Sequence, residues 1–367
     1  MEMIEIGQCC TVINGSTPSR KKPEYWKGEI DWFTPKDLSK IQSKYVDEAP
    51  EKITQKGYDS CSTTLIPENS LLYTSRAPIG HIAINKRTVC TNQGFKSLVP
   101  RKNVDVEYLY YTLKKYTPLL KDLGNGATFK ELSKTTISSF KIPLPPLPTQ
   151  KKIAALLDAA DAYRQKTKAL IEKYDELTQS LFLDMFGDPV RNPKNMKTIL
   201  GKEMFKFSSG KYNPTKNLSD ENEFPTYGGN GITGYSKDYL LDYDTIVIGR
   251  VGAYCGSIHK THEKIWVTDN AIYIKEFKSV VNLTYVFYFF KGYNLNRFAD
   301  FSGQPKITQK PLENMSFINP SIDLQNQFAE RVQKIEAQKA QAQESLEKAE
   351  ELFNSLLGRA FKGELSI

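Results

Sequence analysis

Two long stretches of the chain place apolar residues at helical spacing. The first follows the run PLPPLPTQ, where Pro143, Pro145, Pro146 and Pro148 form a stiff, non-helical break. After it, Ile153, Leu156, Ala160, Tyr163, Thr167, Leu170, Tyr174, Leu177 and Leu181 succeed one another at alternating steps of three and four. This is the a/d seam of a heptad repeat sustained over about four heptads, with charged residues between. It predicts one helix over 149–185, stopped by Gly187. The second stretch follows Pro320, with Ser321 or Asp323 as helix cap. Phe328, Val332, Ile335, Ala342, Leu346, Ala349, Phe353 and Leu356 repeat the seam, Lys339 being its one poor fit, and Gly358 is the predicted end. Each helix would be about 35 residues and roughly 50 Å long.

A stripe of this kind commonly serves core packing or a homodimeric coiled coil. Two matched stripes in one chain favour each other, because neither buries its seam alone. The expected pair sets Ile153, Leu156, Leu170, Leu177 and Leu181 against Phe328, Val332, Ile335, Leu346 and Leu356. The match extends to sequence: EKYDELTQSL (172–181) and EKAEELFNSL (347–356) agree at six of ten positions.

The blocks before the helices echo each other too. TSRAPIGHIAI (74–84) resembles IGRVGAYCGSIHK (248–260), with Arg76 near Arg250 and Gly80 aligned to Gly256. VCTNQGFKSL (89–98) resembles VTDNAIYIK (267–275), and VEYLYYTLKKY (106–116) resembles LTYVFYFFKGY (283–293). GATFKELS (126–133) resembles GQPKITQK (303–310), aligning Lys130 with Lys306. Both blocks are rich in Val, Ile, Thr and Tyr between Gly and Pro turns, the composition of short strands. The predicted fold class is α+β: two mixed α/β domains separated by two long helices packed as an antiparallel coiled coil, a pseudo-two-fold internal repeat. Its segments are 1–148, 149–186, 187–320 and 321–367.

Charge distribution sharpens this. Residues 1–148 hold 21 Lys/Arg against 15 Asp/Glu and residues 187–320 hold 17 against 13, while 149–186 is neutral and 321–367 has net charge −2. Two cationic blocks on a stiff strut suit duplex DNA, a regular polyanion that two-fold proteins read as half-sites about a turn or its multiples apart. The lack of an apolar run of about 18 residues argues against a membrane span, and the N-terminus lacks a signal-peptide pattern. Five cysteines, irregularly spaced, read as free thiols of a cytoplasmic protein.

Side chains suited to DNA are Arg and Lys for guanine and phosphate, Asn and Gln for adenine, and Ser and Thr for either. In the first block the candidates are Ser16, Thr17, Ser19, Arg20, Lys21, Lys22, Thr34, Lys36, Arg76, Asn92, Gln93, Thr128 and Lys130. In the second they are Lys211, Tyr227, Gly229, Asn230, Arg250, Asp269, Asn270, Gln304 and Lys306. Catalytic signatures are missing: there is no [DNS]-P-P-[YFW] motif for amino methylation, no Walker A sequence and no G-x-S-x-G elbow. Gly229 to Gly234 fits G-x-G-x-x-G, but it precedes turns and strand where a dinucleotide loop needs a helix. A structural turn and a loop approaching DNA both remain open for it. Cys255, His259 and His262 lie close in sequence, yet their spacing matches no common zinc site. No catalytic residue and no metal ligand is assigned.

The chain resembles the specificity subunits of Type I restriction-modification systems over nearly its whole length. INGSTPSRKKPEYWKGEIDWFTPKDLS (13–39) looks like the start of a first target recognition domain, and FPTYGGNGITGYSKDYLLDYDTIVIGRVGAYCG (224–256) like the start of a second. IPLPPLPTQKKIAALL (142–157) and INPSIDLQNQFAERV (318–332) look like the beginnings of the two spacer helices. The resemblance implies a non-catalytic subunit that reads a split DNA target, one half per domain, with the helices setting the gap. It also implies two modification subunits that methylate adenine N6, and restriction subunits. S-adenosylmethionine, ATP and Mg2+ would sit on those partners, with no cofactor on this chain and no membrane. The second block lacks the GSTPS and EYW phrases of the first, so an asymmetric target is expected. The rivals are a recognition subunit of another split methylase-nuclease type, a stand-alone DNA-binding protein and a coiled-coil scaffold.

Overall fold

The computed structural model describes residues 2–41, 43–76, 78–125 and 130–365. They fall into two compact units, Met1–Lys166 with Ser345–Ile367, and Thr167–Glu344. In the first, β1 (Met3–Glu5), α1 (Ile6–Cys9), β2 (Cys10–Asn14), β3 (Trp26–Phe33), α2 (Pro35–Leu38), β4 (Tyr45–Val46), β5 (Glu51–Ile53) and α3 (Gln55–Asp59) come first. Then follow β6 (Leu71–Tyr73), β7 (Ile82–Asn85), β8 (Cys90–Thr91), β9 (Lys96–Pro100), α4 (Val106–Asp122), α5 (Lys134–Ser139) and β10 (Lys141–Pro143). Helix α6 (Leu147–Phe186) begins in this unit and ends in the second. The second unit continues with β11 (Thr198–Leu200), α7 (Gly201–Met204), β12 (Phe205–Ser209), β13 (Phe224–Gly228), β14 (Gly231–Ser236), β15 (Ile246–Gly249) and β16 (Ile258–Lys260). It closes with β17 (Trp266–Val267), β18 (Ala271–Phe277), α8 (Leu283–Tyr293), α9 (Gln309–Asn314) and β19 (Ser316–Ile318), before α10 (Ile322–Lys362) returns to the first.

The units share one plan. Each opens with a strand paired antiparallel to the strand just before its long helix: β1 with β10, Met3 opposite Pro143, and β11 with β19, Thr198 opposite Ile318. Each has a main sheet, β2-β9-β6-β7-β4 or β12-β18-β15-β16, and a small three-stranded sheet, β5-β3-β8 or β14-β13-β17. The small sheets each contain one parallel pair, β3 with β8 and β13 with β17. A helix rich in aromatic residues, α4 or α8, packs on each main sheet. Its buried tyrosine donates to a carbonyl just ahead of the long helix: Tyr108 to Pro143 O at 2.8 Å and Tyr285 to Ile318 O at 2.7 Å.

A buried glutamine in the first turn of each long helix makes the same clasp. Gln150 Oε1 accepts from Asp105 N at 2.9 Å while its Nε2 donates to Pro145 O at 2.8 Å and Asn103 O at 3.0 Å. Gln325 Oε1 accepts from Asn282 N at 2.9 Å and its Nε2 donates to Pro320 O at 3.0 Å. Asp105 and Asn282 are the caps of α4 and α8. One amide thus locks the start of the long helix to the start of the domain helix, with its donors and acceptor satisfied out of water.

Within each unit the two long helices lie side by side in opposite senses. In the first, Ile153 and Leu157 share a core with Phe353, Leu357 and Phe361. In the second, Phe182 and Phe186 meet Phe328 edge-on at 5.6 and 5.4 Å, and Lys339 donates to Asp175 at 2.6 Å. Lys339, the poor fit of the apolar pattern, keeps the seam by reaching out to that carboxylate. On α10 the inward residues Phe328, Val332, Ile335, Leu346 and Leu356 are buried or half-buried, as the heptad requires.

On α6 the heptad phase requires correction. Ile153 is buried and Leu181 half-buried, but Leu156, Leu170 and Leu177 are 38%, 43% and 50% exposed. The inward partners are one residue later: Leu157, Arg164, Ile171 and Thr178. A one-residue shift turns a helix position by about 100°. Arg164 fills its place by laying its guanidinium 4.5 Å over the Phe353 ring, and Thr178 by donating to Tyr174 O at 3.0 Å. At Arg164 and Thr178 the apolar neighbour pointed outward because a polar residue occupies the inner face, and at Leu157 and Ile171 two adjacent apolar residues left the phase open. The ends also shift. Helix α6 starts at Leu147, since Pro148 sits in a first turn that has no use for its missing N–H. Helix α10 runs past Gly358 to Lys362, carrying buried Ala360 and Phe361, and stops at Gly363 with φ +79°. Ser321 is its cap, accepting from Leu324 N at 3.4 Å.

The phase of α6 is testable by denaturation. Leu157→Ala should cost about 2–4 kcal/mol, a buried large-to-small change. Leu156→Ala should stay within about 0.5 kcal/mol, as for an exposed site. Equal losses would restore the phase read from the apolar pattern.

Candidate nucleic-acid interface

In each unit four loops are stitched together at one edge by the same backbone hydrogen bonds. Ser16 N donates to Thr91 O at 2.9 Å, Asn92 N to Phe33 O at 3.0 Å, Ser75 N to Gly94 O at 2.7 Å and Leu132 N to Ser75 O at 2.9 Å. In the second unit Lys211 N donates to Val267 O at 2.9 Å, Thr268 N to Tyr227 O at 2.8 Å, Arg250 N to Asn270 O at 2.9 Å and Ile307 N to Arg250 O at 2.8 Å. The opening loop is tight enough to need glycine. A Cβ on Gly15 would stand 2.0 Å from Asn92 O, and one on Gly210 would stand 2.2 Å from Thr268 O. A tryptophan pins the same loop in both: Trp32 Nε1 donates to Ser16 O and Trp266 Nε1 to Lys211 O, each at 3.0 Å. The two indoles come from opposite members of the parallel strand pair, since Trp32 faces Cys90 while Trp266 faces Thr226.

This framework gathers most of the candidate residues and assigns several of them local work. In the first unit the Thr17 hydroxyl donates to Gln93 Oε1, and Asn92 Oδ1 accepts from Gly94 N at 2.8 Å to hold its own turn. Arg20 is committed to a bidentate pair with Glu51 at 2.6 and 2.7 Å, with its guanidinium 3.8 Å over Trp26 and 5.1 Å from the Trp32 ring centre. Thr34 caps α2, and its hydroxyl donates to Asp37 at 2.7 Å. Lys22 donates to Tyr25 OH at 3.0 Å, and Arg76 pairs with Glu131 at 3.5 Å. Ser16 is half-buried, whereas Ser19, Lys21, Lys36, Gln93 and Lys130 are exposed. Thr128 lies outside the described residues.

In the second unit Lys211, Asn230, Asp269, Asn270, Gln304 and Lys306 are exposed around a half-buried Arg250. Arg250 donates to Ser209 Oγ at 3.3 Å, while its Nε is buried without a partner. Gly252 N donates to Pro305 O at 2.9 Å, and Asp300 and Lys306 exchange backbone bonds at 2.9 and 3.1 Å, so the 300–306 hairpin lies beside the Arg250 loop. Gly229 and Asn230 form the two-residue turn between β13 and β14, and the glycine-rich motif runs on into strand. The helix that a dinucleotide loop needs does not follow. Tyr227 is half-buried on β13, and the Gly229 carbonyl accepts from the Ser257 hydroxyl. Among the described residues no group of three His, Cys, Asp or Glu is placed to hold a metal ion. Cys255 instead donates to Arg250 O at 3.2 Å, and His262 faces Asp244 at 3.4 Å.

The hydrogen bonds correct one alignment. Glu131 exchanges backbone bonds with Asn125 as Lys306 does with Asp300, so the counterpart of Lys306 is Glu131 and not Lys130. In the same way Ser75, not Arg76, matches Arg250. Gly80 and Gly256 do correspond: their N–H groups donate to Thr74 O and Gly249 O, and their φ values are +102° and +87°. The sequence reading passed over Glu131 and three exposed aromatics of the second edge, Tyr212, Tyr254 and Phe301. Their signal was the interleaving of rings with basic and polar residues in KY (211–212), RVGAY (250–254) and FSGQPK (301–306).

Arg20 holds the Glu51 carboxyl below the usual carboxylate range. A lowered acid stabilises the fold above its unfolded value, near pH 4.5, and loses that contribution as pH falls through the folded value. Glu51→Gln should therefore lower stability by about 1 kcal/mol or less at pH 7, the range for a half-exposed pair. The gap to wild type should close in acid. A gap that does not narrow in thermal melts as pH is lowered from 4.5 would contradict this.

The Type I restriction modification DNA specificity domain model matches residues 1–174 and 193–351. The chain is 37% identical over 228 residues to the Type I restriction enzyme MjaIX specificity subunit of Methanocaldococcus jannaschii, covering 58% of this chain and 53% of that protein, about half its length. It is 26% identical over 351 residues to the EcoprrI specificity subunit of Escherichia coli, covering 89% of this chain and 85% of that one. The fold matches the Type I system S subunit of M. genitalium with a TM-score of 0.61 at 18% identity, over 98% of this chain and 96% of that one. It also matches a chain of a type I R-M assembly with a TM-score of 0.65 at 17% identity, over 99% and 98%. With both halves of its internal repeat matched, the chain belongs to the family of Type I restriction modification DNA specificity domains.

Proposed function

We propose that this chain is the non-catalytic sequence-recognition subunit of a Type I restriction-modification complex. It reads a bipartite, asymmetric DNA target, with one half-site for the loop edge of each unit. The observation that carries this reading is the repeated edge. One hydrogen-bonded framework occurs twice and presents different side chains each time, Ser16 against Lys211 and Glu131 against Lys306, with Arg250 of the second unit where the first has a buried Ser75. The same scaffold with different contact residues suits two different base sequences, and exposed cations beside amides and hydroxyls are the groups that bind phosphates and base edges.

In this reading α6 and α10 pair along their length as an antiparallel coiled coil with pseudo-two-fold symmetry, and the pair sets the number of unread bases between half-sites. The contacts of Phe353 with Arg164 and of Phe328 with Phe182, and the Lys339–Asp175 bridge, support such a pairing. Methyl transfer and cleavage belong to two modification subunits and to restriction subunits, which hold S-adenosylmethionine, ATP and Mg2+. The complex works in the cytoplasm, and among the described residues no helix is long and apolar enough to cross a membrane.

Inserting one heptad into both long helices tests the reading. Seven residues add about 10 Å, so the gap between half-sites should widen by up to about three base pairs. A map of modified adenines in cells carrying the variant should return both half-sites unchanged. Altered half-sites at unchanged spacing would sink the proposal.

A further inference from the structure

One position of the repeated edge carries opposite charge in the two units. Glu131 and Lys306 each exchange backbone hydrogen bonds with a residue six positions earlier, Asn125 or Asp300, and the residue after each donates to the equivalent carbonyl, Ser75 O or Arg250 O. In the first unit the Glu131 carboxylate stands 3.5 Å from Arg76 and 3.4 Å from Lys96, whose ammonium also lies 3.3 Å from Ser75 Oγ. The Lys96 side chain is 8% exposed, and a buried ammonium requires a counter-charge. In the second unit the strand position of Lys96 belongs to Ile272, because Asn14 faces Lys96 as Ser209 faces Ile272. Ile272 carries no charge to call for an acid there, and Lys306 is exposed with no acidic partner among the described residues.

We propose that Glu131 is a built-in competitor for DNA. Tethered by Lys96, it withholds Arg76 from phosphate in the free protein, and Arg76 is released only when DNA takes the place of the carboxylate. The Lys306 ammonium meets phosphate without such an exchange. At this position the two edges therefore grip DNA unequally: Lys306 adds its phosphate contact directly, and Arg76 adds one only past the threshold that Glu131 sets. The inference rests on the DNA-reading function proposed above and assigns residues within it.

The test measures binding of the chain, in complex with its modification subunits, to a duplex carrying its mapped target, at several salt concentrations. Glu131→Gln should tighten binding about threefold or more and steepen the salt dependence by about one phosphate contact. Arg76→Gln added to that variant should cancel the gain. Lys306→Gln should weaken binding about three- to tenfold and flatten the salt dependence by about one contact. If Glu131→Gln melts because Lys96 is left unpaired, Glu131→Gln with Lys96→Met removes both charges and should still release Arg76. Unchanged or weaker binding by a folded Glu131 variant, or an unchanged salt slope for Lys306→Gln, overturns the inference. A wild-type complex that does not prefer the target over a scrambled duplex would instead overturn the function it rests on.

Discussion

The rest of the structure depends on two buried amides. Gln150 and Gln325 stand in the first turn of the long helices, and each both accepts from and donates to the backbone of the domain that precedes it. An amide shut away from water with its partners in place leaves little freedom of angle. Moving the helix against the domain would strand a donor or acceptor at a cost of about 1–3 kcal/mol each. The long helix therefore leaves its domain in one direction, and a reading edge mounted on that domain is fixed relative to the helix. Tyr108 and Tyr285 make the same attachment from α4 and α8. The proposed reading of spaced half-sites needs such a rigid mount.

On that base the repeat separates what must be shared from what must differ. Shared are the clasp, the opening strand pair, the glycine at the tight turn and the indole that pins the opening loop. Different are the side chains presented. The first unit holds two of its cations in pairs, Arg20 with Glu51 and Arg76 with Glu131, and leaves Lys21, Lys36 and Lys130 exposed; the second leaves Lys211 and Lys306 exposed and adds uncovered rings at Tyr212, Tyr254 and Phe301. The framework is repeated and the side chains on its edge differ, which is what the proposed reading of two unlike half-sites asks of it.

Much of this was legible in the residues. The seam of α10 could be read directly because Phe328, Val332, Ile335 and Leu346 are apolar at the inward positions. The seam of α6 could not, because Arg164 and Thr178 face inward while Leu156 and Leu177 face out. Leu177 and its repeat counterpart Leu352 are both exposed, so the apolar pattern there marks an outer face that the repeat keeps. At the edges the loops were identifiable from their composition, but the roles of single residues were not. Thr34 reads as a base contact and is a helix cap; Asn92 reads as an adenine reader and holds its own turn. Lys130 aligns with Lys306 in sequence, yet the backbone pair with Asn125, matching that of Lys306 with Asp300, puts Glu131 there instead. These depend on hydrogen bonds between segments far apart in the chain, which spacing alone does not encode.

The most direct measurement is a map of modified adenines before and after residues 1–147 are replaced by the matching segment of a relative with a different target. One half of the recognised sequence should change to the donor's, with the other half and the number of bases between them unaltered. A target that changes in both halves, or keeps both, would contradict the assignment of one half-site to each unit.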